Sequence, residues 1–582
     1  MTIFNVLSLL GGLAIFLYGM SLMGDGLERS AGSKLKTILE NLTSSPLKAV
    51  LLGAGVTAII QSSSATTVML VGFVNSGILK LSQSIGVIMG ANIGTTMTSW
   101  ILSLTGIQSD NIVLALLKPN SLSLISAVVG IILFMFIKGK NKKDYGAIFI
   151  GFGLIMVGMD MMSGAVSPLK EDPNFKNILL LFSNPLLGVV AGAVLTAIIQ
   201  SSSASVGILQ ALSVTGGITY GNAIPIIMGQ NIGTCVTAMI SSIGANKNAK
   251  RVAVVHLLFN IIGTVVFLIL YYLIDVVIGG FSFADNSLQA AGIAVIHTTF
   301  NVLATVVMFP LINQLEKLAY LLVKDDDDEE TKEFLDERLL VTPAIALSQS
   351  KKITDKMAVI SKNTLTKSLD LIVKYNEEDA KFIRESEANV DHYEDKLGTY
   401  LVKLSRKSLS VEDSRLVSNL LHSIGDFERI SDHAVNILET AEEINVKNIK
   451  LSADAQHEIE VLTAAVKEIL ENAVRAFVTG DLRLAKQIEP LEQVIDRIKF
   501  KLKNRHIQRL QQGECTIEAG FIYSDFLTNC ERVADHCSNI AVCMIQIADD
   551  SFDTHEYLNN IKSHGEAAFD EEYRKYKEKY EI

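Results

Sequence analysis

Long apolar stretches separated by short polar breaks fill the first 322 residues of the chain, and a charged, amphipathic pattern follows. A helix needs roughly 20 apolar residues to cross the hydrocarbon core of a bilayer. That length predicts seven spans, at about residues 4–24, 84–105, 121–138, 145–165, 222–243, 252–275 and 287–312. The apolar start lacks the basic segment of a signal peptide, so we expect it to be retained as the first span.

Two further apolar segments, residues 46–77 and 185–216, are each interrupted in the middle by a hydroxyl-rich string. The strings are Gln61, Ser62, Ser63 and Ser64 in the first segment and Gln200, Ser201, Ser202 and Ser203 in the second. Each half of a segment is too short to cross a membrane alone. We therefore predict two re-entrant helical hairpins, whose non-helical backbone must be surrounded by protein or by a water-filled cavity.

The two strings belong to an internal duplication with a constant offset, from residue 61 to residue 200. The same offset relates Gly12 and Gly19 to Gly151 and Gly158, and it relates two Gly-x-Asn-Ile-Gly-Thr strings. Those strings contribute Asn92 and Thr95 in the first copy and Asn231 and Thr234 in the second. We assign repeat one to about residues 5–139, repeat two to about 144–278 and an extra helix to about 287–312, all within a domain of residues 1–322.

The parity of the predicted spans gives the two repeats opposite orientations. Three spans and a hairpin bring the chain to the far side, so repeat two enters from the opposite face, and the two hairpins meet near the midplane. Lys and Arg collect on the face that also receives the charged half of the chain. By the positive-inside rule that face is cytoplasmic, and the N-terminus lies outside.

The paired strings have the chemistry of an ion site. A broken helix exposes backbone NH groups that suit an anion and carbonyls that suit sodium, and hydroxyls serve both. No Arg or Lys lies in the strings, so neutral dipoles and co-bound cations would hold any anion. This pattern favours a cation-coupled carrier. The alternative is that these small polar residues serve only helix packing.

A shorter duplication places His256 and Asn260, and again His297 and Asn301, on one helix face each. Intramembrane histidines can relay protons, and polar helix packing is the alternative interpretation of these residues.

The charged half carries most of the net charge of −11, which says nothing about nucleic acid. We predict an acidic linker at 323–341, centred on the run from Asp325 to Glu330, with a calcium site as the alternative. An apolar period near 3.6 predicts helices over residues 342–549, followed by a charged tail at 550–582. The five cysteines fit no zinc pattern, and we expect them to be reduced if this half is cytoplasmic.

The soluble half is also duplicated, which predicts two three-helix bundles. Each copy pairs a Glu-x3-Asp motif with a second Glu-x3-Asp motif one helix later. The carboxylates are Glu387, Asp391, Glu428 and Asp432 in the first copy and Glu492, Asp496, Glu531 and Asp535 in the second. Four carboxylates repel one another unless metal or basic side chains balance them. His433 and His536 could complete a transition-metal site, and an exposed, salt-bridged surface is the alternative.

These motifs resemble two known families. The paired Gln-Ser-Ser-Ser and Gly-x-Asn-Ile-Gly-Thr strings resemble the type II sodium–phosphate cotransporters over about residues 5–315. The strings Glu428-Arg-Ile-Ser-Asp432-His and Glu531-Arg-Val-Ala-Asp535-His resemble PhoU-like domains. The resemblance implies an all-α polytopic membrane protein with inverted repeats, sodium and phosphate bound at the polar residues above, and a multinuclear divalent or iron-type metal at the eight carboxylates. Two departures are Asn529, where the first copy has Asp426, and Gln230, where the first repeat has Ala91.

Taken together, the sequence predicts a sodium–phosphate symporter of the bacterial inner membrane with a cytoplasmic regulatory domain. The alternatives are a cation-coupled carrier of another anion, such as a dicarboxylate or arsenate, and a phosphate sensor that does not transport. The expected partners are phosphate, sodium, the lipid bilayer and either a second copy or a phosphate-signalling protein, without nucleic acid. We expect no enzyme, since no nucleophile–base constellation stands out.

Overall fold

The computed structural model describes residues 2–41, 45–104, 119–137, 142–172, 175, 184–324, 335–548 and 567–582. Within these ranges the only pairing of extended backbone is an isolated bridge between Thr219 and Ser287, so the predicted all-α class is confirmed. The chain divides into a first unit, Met1–Ile345, and a second unit, Ala346–Ile582. The core of the predicted acidic linker, from Asp325 to Glu330, lies outside the described residues.

In the described residues of the first unit, the α-helices are α1 (Ile3–Asn41), α2 (Pro46–Ile60), α3 (Ser63–Asn75), α4 (Leu81–Ser103), α5 (Pro119–Met135), α6 (Lys142–Val166), α7 (Pro185–Ile199), α8 (Ser202–Ser213), α9 (Tyr220–Ser241), α10 (Lys247–Ile278), α11 (Ala290–Met308) and α12 (Ile312–Leu322). Helices α1, α4, α6, α9, α10 and α11 supply six segments that are long and apolar enough to span a membrane. The predicted span at 121–138 coincides with α5, whose described part, Pro119–Met135, has 17 residues and follows directly on residues 105–118, which are not described.

Glycines join α1 and α6 as an antiparallel pair. A Cβ atom built on Gly12 would lie 2.9 Å from the carbonyl oxygen of Gly158, and one on Gly19 would lie 2.8 Å from that of Gly151. In the duplication, Gly151 corresponds to Gly12 and Gly158 corresponds to Gly19. Gly12 therefore contacts the counterpart of Gly19, and Gly19 contacts the counterpart of Gly12. This reciprocal contact is the mark of a two-fold relation between the repeats. Small residues allow the two backbones to approach closely.

The first arm of each hairpin is packed on a long helix through the same glycine contacts. In repeat one, a Cβ atom on Gly90 of α4 would lie 1.9 Å from the Val50 carbonyl oxygen of α2. In repeat two, a Cβ atom on Gly229 of α9 would lie 2.0 Å from the Val189 carbonyl oxygen of α7. No side chain fits at such distances, so glycine is required at both positions.

The described part of the second unit contains six long helices, as predicted, with one short and one C-terminal helix. They are α13 (Pro343–Leu371, which begins in the first unit), α14 (Glu377–Ser405), α15 (Val411–Lys447), α16 (Ala453–Thr479), α17 (Leu482–Ala485), α18 (Ile488–Gln511), α19 (Ile517–Ala548) and α20 (Ala567–Lys579). Helices α14 and α15 pack together in the first set of three, and α16, α18 and α19 pack together in the second. Helices α15 and α19 join the two sets, and all five cysteines of the chain are unpaired.

Candidate functional site

The breaks in the two hairpins have the same backbone conformation. Gln61 ends α2 with φ 59°, and Gln200 ends α7 with φ 57°. A residue other than glycine adopts this left-handed conformation at a cost on the order of 1 kcal/mol. This conformation turns the chain sharply between two helices. It occurs at Gln61 and Gln200, the first residues of the two duplicated strings.

The serine that follows each glutamine caps the next helix. Ser62 accepts a hydrogen bond from the Ala65 backbone N–H (3.1 Å), and Ser201 accepts one from the Ala204 backbone N–H (3.2 Å). The caps leave other first-turn amides of α3 and α8 at the break, where the helix dipole favours an anion. Among the remaining string residues, Ser63, Ser202 and Ser203 are buried and Ser64 is partly buried.

The polar residues of α4 and α9 are buried and satisfied in parallel ways. Asn92 and Asn231 each donate to the carbonyl one turn earlier, at 2.9 and 3.1 Å. Thr95 and Thr234 do the same, at 3.0 and 2.9 Å. Each of these hydrogen bonds goes to the residue's own helix, which leaves the amide oxygens of the asparagines and the lone pairs of the threonine hydroxyl oxygens able to meet a cation.

The two repeats interlock around these residues. The second arm of each hairpin packs on the long helix of the other repeat, α3 on α9 and α8 on α4. His297 of α11 joins the repeats directly, because its Nδ1 lies 2.7 Å from the Ser99 hydroxyl and its Nε2 lies 3.3 Å from the Asn231 amide oxygen. The sequence marked His297 as a polar residue of a membrane helix, but not as a neighbour of Asn231.

The two glutamines differ in what surrounds them. Gln61 is 8% exposed, and its Oε1 accepts a hydrogen bond from the Thr98 hydroxyl at 2.9 Å. Thr237 is the repeat partner of Thr98, yet its hydroxyl oxygen is buried without a hydrogen-bond partner, and Gln200 is exposed. The first hairpin is thus fastened at its tip, and the second is not fastened in this way.

In the second unit, the acidic residues of the first bundle crowd one another. Burial, together with repulsion from Asp432 and a hydrogen bond to it, raises the pKa of Glu428 to about 7. Burial also raises the pKa of Glu387, with further contributions from Asp432 and Asp391. Nevertheless, no three His, Cys, Asp or Glu side chains converge as metal ligands anywhere in the described chain. The eight predicted metal ligands therefore remain a prediction.

In the second bundle, a lysine pairs with one of the predicted metal ligands. Lys499 Nζ forms an ion pair with Glu531 at 2.6 Å. The offset that relates Glu387 to Glu492 also relates Glu394 to Lys499, so a carboxylate in the first bundle corresponds to an ammonium group in the second. Sequence analysis missed this exchange, although aligning the two Glu-x3-Asp motifs would have found it.

Each of the two histidines of the bundles hydrogen-bonds to a residue of the other copy. His433 Nδ1 lies 2.8 Å from Asn529 Oδ1, and His536 Nδ1 lies 2.9 Å from Asp426 Oδ1. The departure of Asn529 from Asp426 therefore falls at a contact between the two bundles. Burial lowers the pKa of His433, which keeps this imidazole neutral at higher acidity than usual.

This geometry defines an all-α membrane protein with duplicated broken helices and a helical domain built from two similar bundles. The family described as Na+/Pi-cotransporter matches residues 15–164 and 168–299, and the PhoU domain matches residues 354–441 and 459–544. The chain belongs to the Na+/Pi-cotransporter family and carries a C-terminal PhoU domain. The sequence therefore predicted its family correctly.

Relatives with curated names cover either the whole chain or part of it. The "Putative inorganic phosphate export protein YjbB" of Escherichia coli (strain K12) is 24% identical over 95% of this chain and 100% of its own length. YqeW of Bacillus subtilis (strain 168) is 34% identical over 43% of this chain and 76% of its own. PhoU from Pseudomonas aeruginosa matches 35% of this chain and 98% of its own at a TM-score of 0.34 and 19% identity.

Proposed function

We propose that the protein transports inorganic phosphate together with sodium across the bacterial inner membrane by alternating access. The observation that carries the proposal is the pair of broken hairpins, each packed on the long helix of the other repeat. Two broken helices that meet between repeats suit a site reached from either side in turn. The N-terminus lies outside and the PhoU domain is cytoplasmic, as the distribution of Lys and Arg favours.

In this proposal the phosphate binds at the two helix breaks. Amide groups at the start of α3 and α8 and the hydroxyls of the two serine strings donate hydrogen bonds to its oxygens. Sodium binds beside it, with oxygen ligands from the strings and from the amides of Asn92 and Asn231 and the hydroxyls of Thr95 and Thr234. Since no basic residue lies in the strings, sodium offsets the cost of taking the anion out of water.

The direction of transport follows from the gradients and not from the site. A sodium gradient directed inward drives uptake through a tightly coupled symporter, and a reversed balance of gradients drives release through the same cycle. The name of the Escherichia coli relative points to export, and the family name points to coupling with sodium. We propose uptake as the direction under an inward sodium gradient.

The PhoU domain regulates transport in this proposal and binds divalent or iron-type metal in its first bundle. The raised pKa values of Glu387 and Glu428 support this, because a cation would relieve their repulsion. The second bundle fits less well, because Lys499 already neutralises Glu531. We therefore propose that the residues Glu387, Asp391, Glu428 and Asp432 bind metal more tightly than Glu492, Asp496, Glu531 and Asp535.

The test is uptake of radiolabelled phosphate into proteoliposomes, with an inward sodium gradient compared with potassium. We expect sodium-dependent uptake by the wild type and its loss in the double variant Ser63→Ala/Ser202→Ala. Ser84→Ala is the matched control, because this buried serine donates to its own helix at Leu81 and lies outside both strings.

Other outcomes would favour the alternatives. Uptake of a dicarboxylate or arsenate that phosphate does not inhibit would indicate a carrier for another anion. Phosphate binding without counterflow exchange would indicate a sensor, since a sensor has no transport cycle. Uptake that is equal in sodium and potassium would contradict the proposed coupling.

A further inference from the structure

The base of the first hairpin is tied to two other parts of the first unit through one asparagine. Asn75, the last residue of α3, donates from Nδ2 to Asp336 Oδ2 at 2.7 Å. Its Oδ1 accepts from the Asn246 backbone N–H at 2.8 Å, and its carbonyl oxygen accepts from Asn246 Nδ2 at 2.9 Å. Asn246 caps α10, so Asn75 joins the hairpin to a span of repeat two and to the residues that precede the PhoU domain.

Residues 336–341, which we name the latch, form a short 3-10 helix held on the membrane unit. Asp336 is buried, caps this helix by accepting from the Arg338 backbone N–H at 2.8 Å, and pairs with the Arg338 guanidinium at 2.7 Å. Arg338 also donates to the Ser241 carbonyl at 2.6 Å and the Ile243 carbonyl at 3.3 Å. The latch therefore bridges the base of the first hairpin and the connection between α9 and α10.

An apolar contact completes the latch. Leu339 is fully buried, and a Cβ atom built on Gly72 of α3 would lie 2.9 Å from its Cδ2 and 3.3 Å from its Cγ. Leu339 thus lies directly on the last turn of the hairpin, at a place where glycine leaves room for it. Polar and apolar contacts together hold the latch in a defined position.

The second hairpin has a different base. The residue equivalent to Asn75 is Val214, which is 55% exposed and carries no side-chain donor or acceptor. At its tip, the second hairpin has the exposed Gln200 and a Thr237 hydroxyl without a hydrogen-bond partner. The first hairpin is fastened to neighbours both at the tip, by Thr98, and at the base, by the latch.

The latch also lies directly before the PhoU domain along the chain. Only Thr342 separates it from α13, which begins at Pro343 and continues as the first helix of the second unit. A helix transmits displacement along its axis better than a flexible linker, because each residue is bonded to the next turn. Any movement of α13 along its axis therefore pulls on residues 336–341.

We propose that the latch positions the first hairpin, holding it in the arrangement in which Gln61 is bonded to Thr98, and that displacement of the latch through α13 frees this hairpin to move. Asp336, Arg338 and Leu339 are positioning residues in this mechanism and do not touch the transported ions. The PhoU domain would thereby act on one of the two gates and leave the other untouched. This proposal rests on the proposed function for its role in transport, but the physical restraint can be measured independently.

The first experiment measures amide hydrogen exchange in the full-length protein. We expect the double variant Asp336→Ala/Arg338→Ala to exchange at least about tenfold faster than the wild type at residues 72–79, because the hairpin base loses the hydrogen bond from Asn75 to Asp336 and the latch loses the bonds of Arg338 that hold it in place. Exchange at residues 211–218, the base of the second hairpin, should stay unchanged. Val214→Ala is the matched control and should alter neither region beyond its own exposed position.

Unchanged exchange at residues 72–79 would overturn the proposal, and so would an equal increase in both hairpins. Either result would mean that the latch restrains no particular gate. This readout requires neither sodium nor phosphate, so it holds even if the protein transports a different anion or does not transport at all.

The second experiment fixes the latch in place. In the double variant Gly72→Cys/Leu339→Cys, the new Cβ atom at position 72 lies 3.3 Å from the place of Leu339 Cγ, which is about where the sulfur introduced at position 339 would lie, and removal of the leucine side chain makes room for a disulfide. Oxidation should form the cross-link and reduce sodium-dependent phosphate uptake at least about tenfold, and dithiothreitol should restore uptake. The two single-cysteine variants, which retain the five native cysteines, are controls for oxidation elsewhere.

Full uptake by protein shown to be cross-linked would refute control of the gate by the latch. Absence of uptake in the reduced double variant and in the wild type would instead count against the proposed function, and the exchange measurement would then decide on the latch alone.

Discussion

The two hairpins of the first unit share the Gln-Ser-Ser-Ser string and the geometry of the break, but they differ in how they are held. Both break at a left-handed glutamine, both are capped by the next serine, and both join their arms by hydroxyl contacts. Those contacts are Thr57 to Thr66 at 3.0 Å and Thr196 to Ser205 at 2.8 Å. Their contacts with neighbouring residues differ, since only the first has the hydrogen bonds from Thr98 at its tip and to Asp336 at its base.

The shape of a hairpin and its freedom to move therefore have separate origins. Thr98 and Thr237 are the same residue type at equivalent positions, but only Thr98 bonds its glutamine. That contrast is one of conformation and not of residue type. The contrast between Asn75 and Val214 is one of chemistry, and it lets a single segment act on one hairpin alone.

The largest effect on stability should come from the glycines of α4 and α9 against which the first arms of the hairpins pack. Gly90→Ala and Gly229→Ala each place a Cβ atom about 2 Å from a carbonyl oxygen, at 1.9 Å and 2.0 Å. The backbones must separate, which we expect to destabilise the unit by about 3 kcal/mol in either repeat. The measurement is thermal unfolding of the purified protein in detergent, and the two variants should behave alike.

Gly55→Ala is the control for these variants, because it lies in α2 with open space around a new Cβ atom. It should be neutral or stabilising by up to about 1 kcal/mol, since alanine is the better helix former. A large loss in one repeat with none in the other would break the equivalence of the two packing contacts.

A smaller effect on stability should distinguish the first hairpin from the second. Thr98→Val removes the donor to the buried Gln61 oxygen and should cost about 1–3 kcal/mol, because that acceptor is left unsatisfied. Thr237→Val removes a hydroxyl without a hydrogen-bond partner and should change stability by less than about 0.5 kcal/mol. Thermal unfolding under one condition checks both, and equal losses would show that the second glutamine is also bonded in solution.

Much of this architecture could be predicted from the sequence, because its signals are local or duplicated. The Gln-Ser-Ser-Ser strings located both breaks to the residue, and the constant offset identified the repeats. The predicted span at 121–138 stays a prediction, because only 17 residues of its helix, α5, are described. Contacts between distant segments could not be predicted, since nothing near Asn75 or His297 in sequence indicates Asp336 or Asn231 as a neighbour.

The second unit also combines two copies of similar shape with different chemistry. In this unit the chemical difference between the copies can be read from the sequence. Six long helices form from two copies, but Glu394 of the first corresponds to Lys499 of the second. Motif matching overlooked the exchange because neither residue belongs to the Glu-x3-Asp pattern. Its consequence, an ion pair with Glu531, appears only once the helices are packed.

The smallest expected effect tests whether this exchange decides which bundle binds metal. Lys499→Glu should raise the affinity of the second bundle for Mn²⁺ about tenfold, because it removes a competing cation and adds a carboxylate. Glu394→Lys should lower the affinity of the first bundle by a similar factor. Isothermal titration calorimetry with MnCl2 on the full-length protein measures both affinities. Lys362→Glu is the control, since Lys362 pairs with Glu471 of the adjacent helix and with none of the predicted metal ligands.

If Lys499→Glu leaves Mn²⁺ binding unchanged while Glu394→Lys abolishes it, charge is not what makes the two bundles differ in metal binding. The carboxylates of the second bundle would then be held too far apart by their helices to bind a metal, whatever residue stands at position 499.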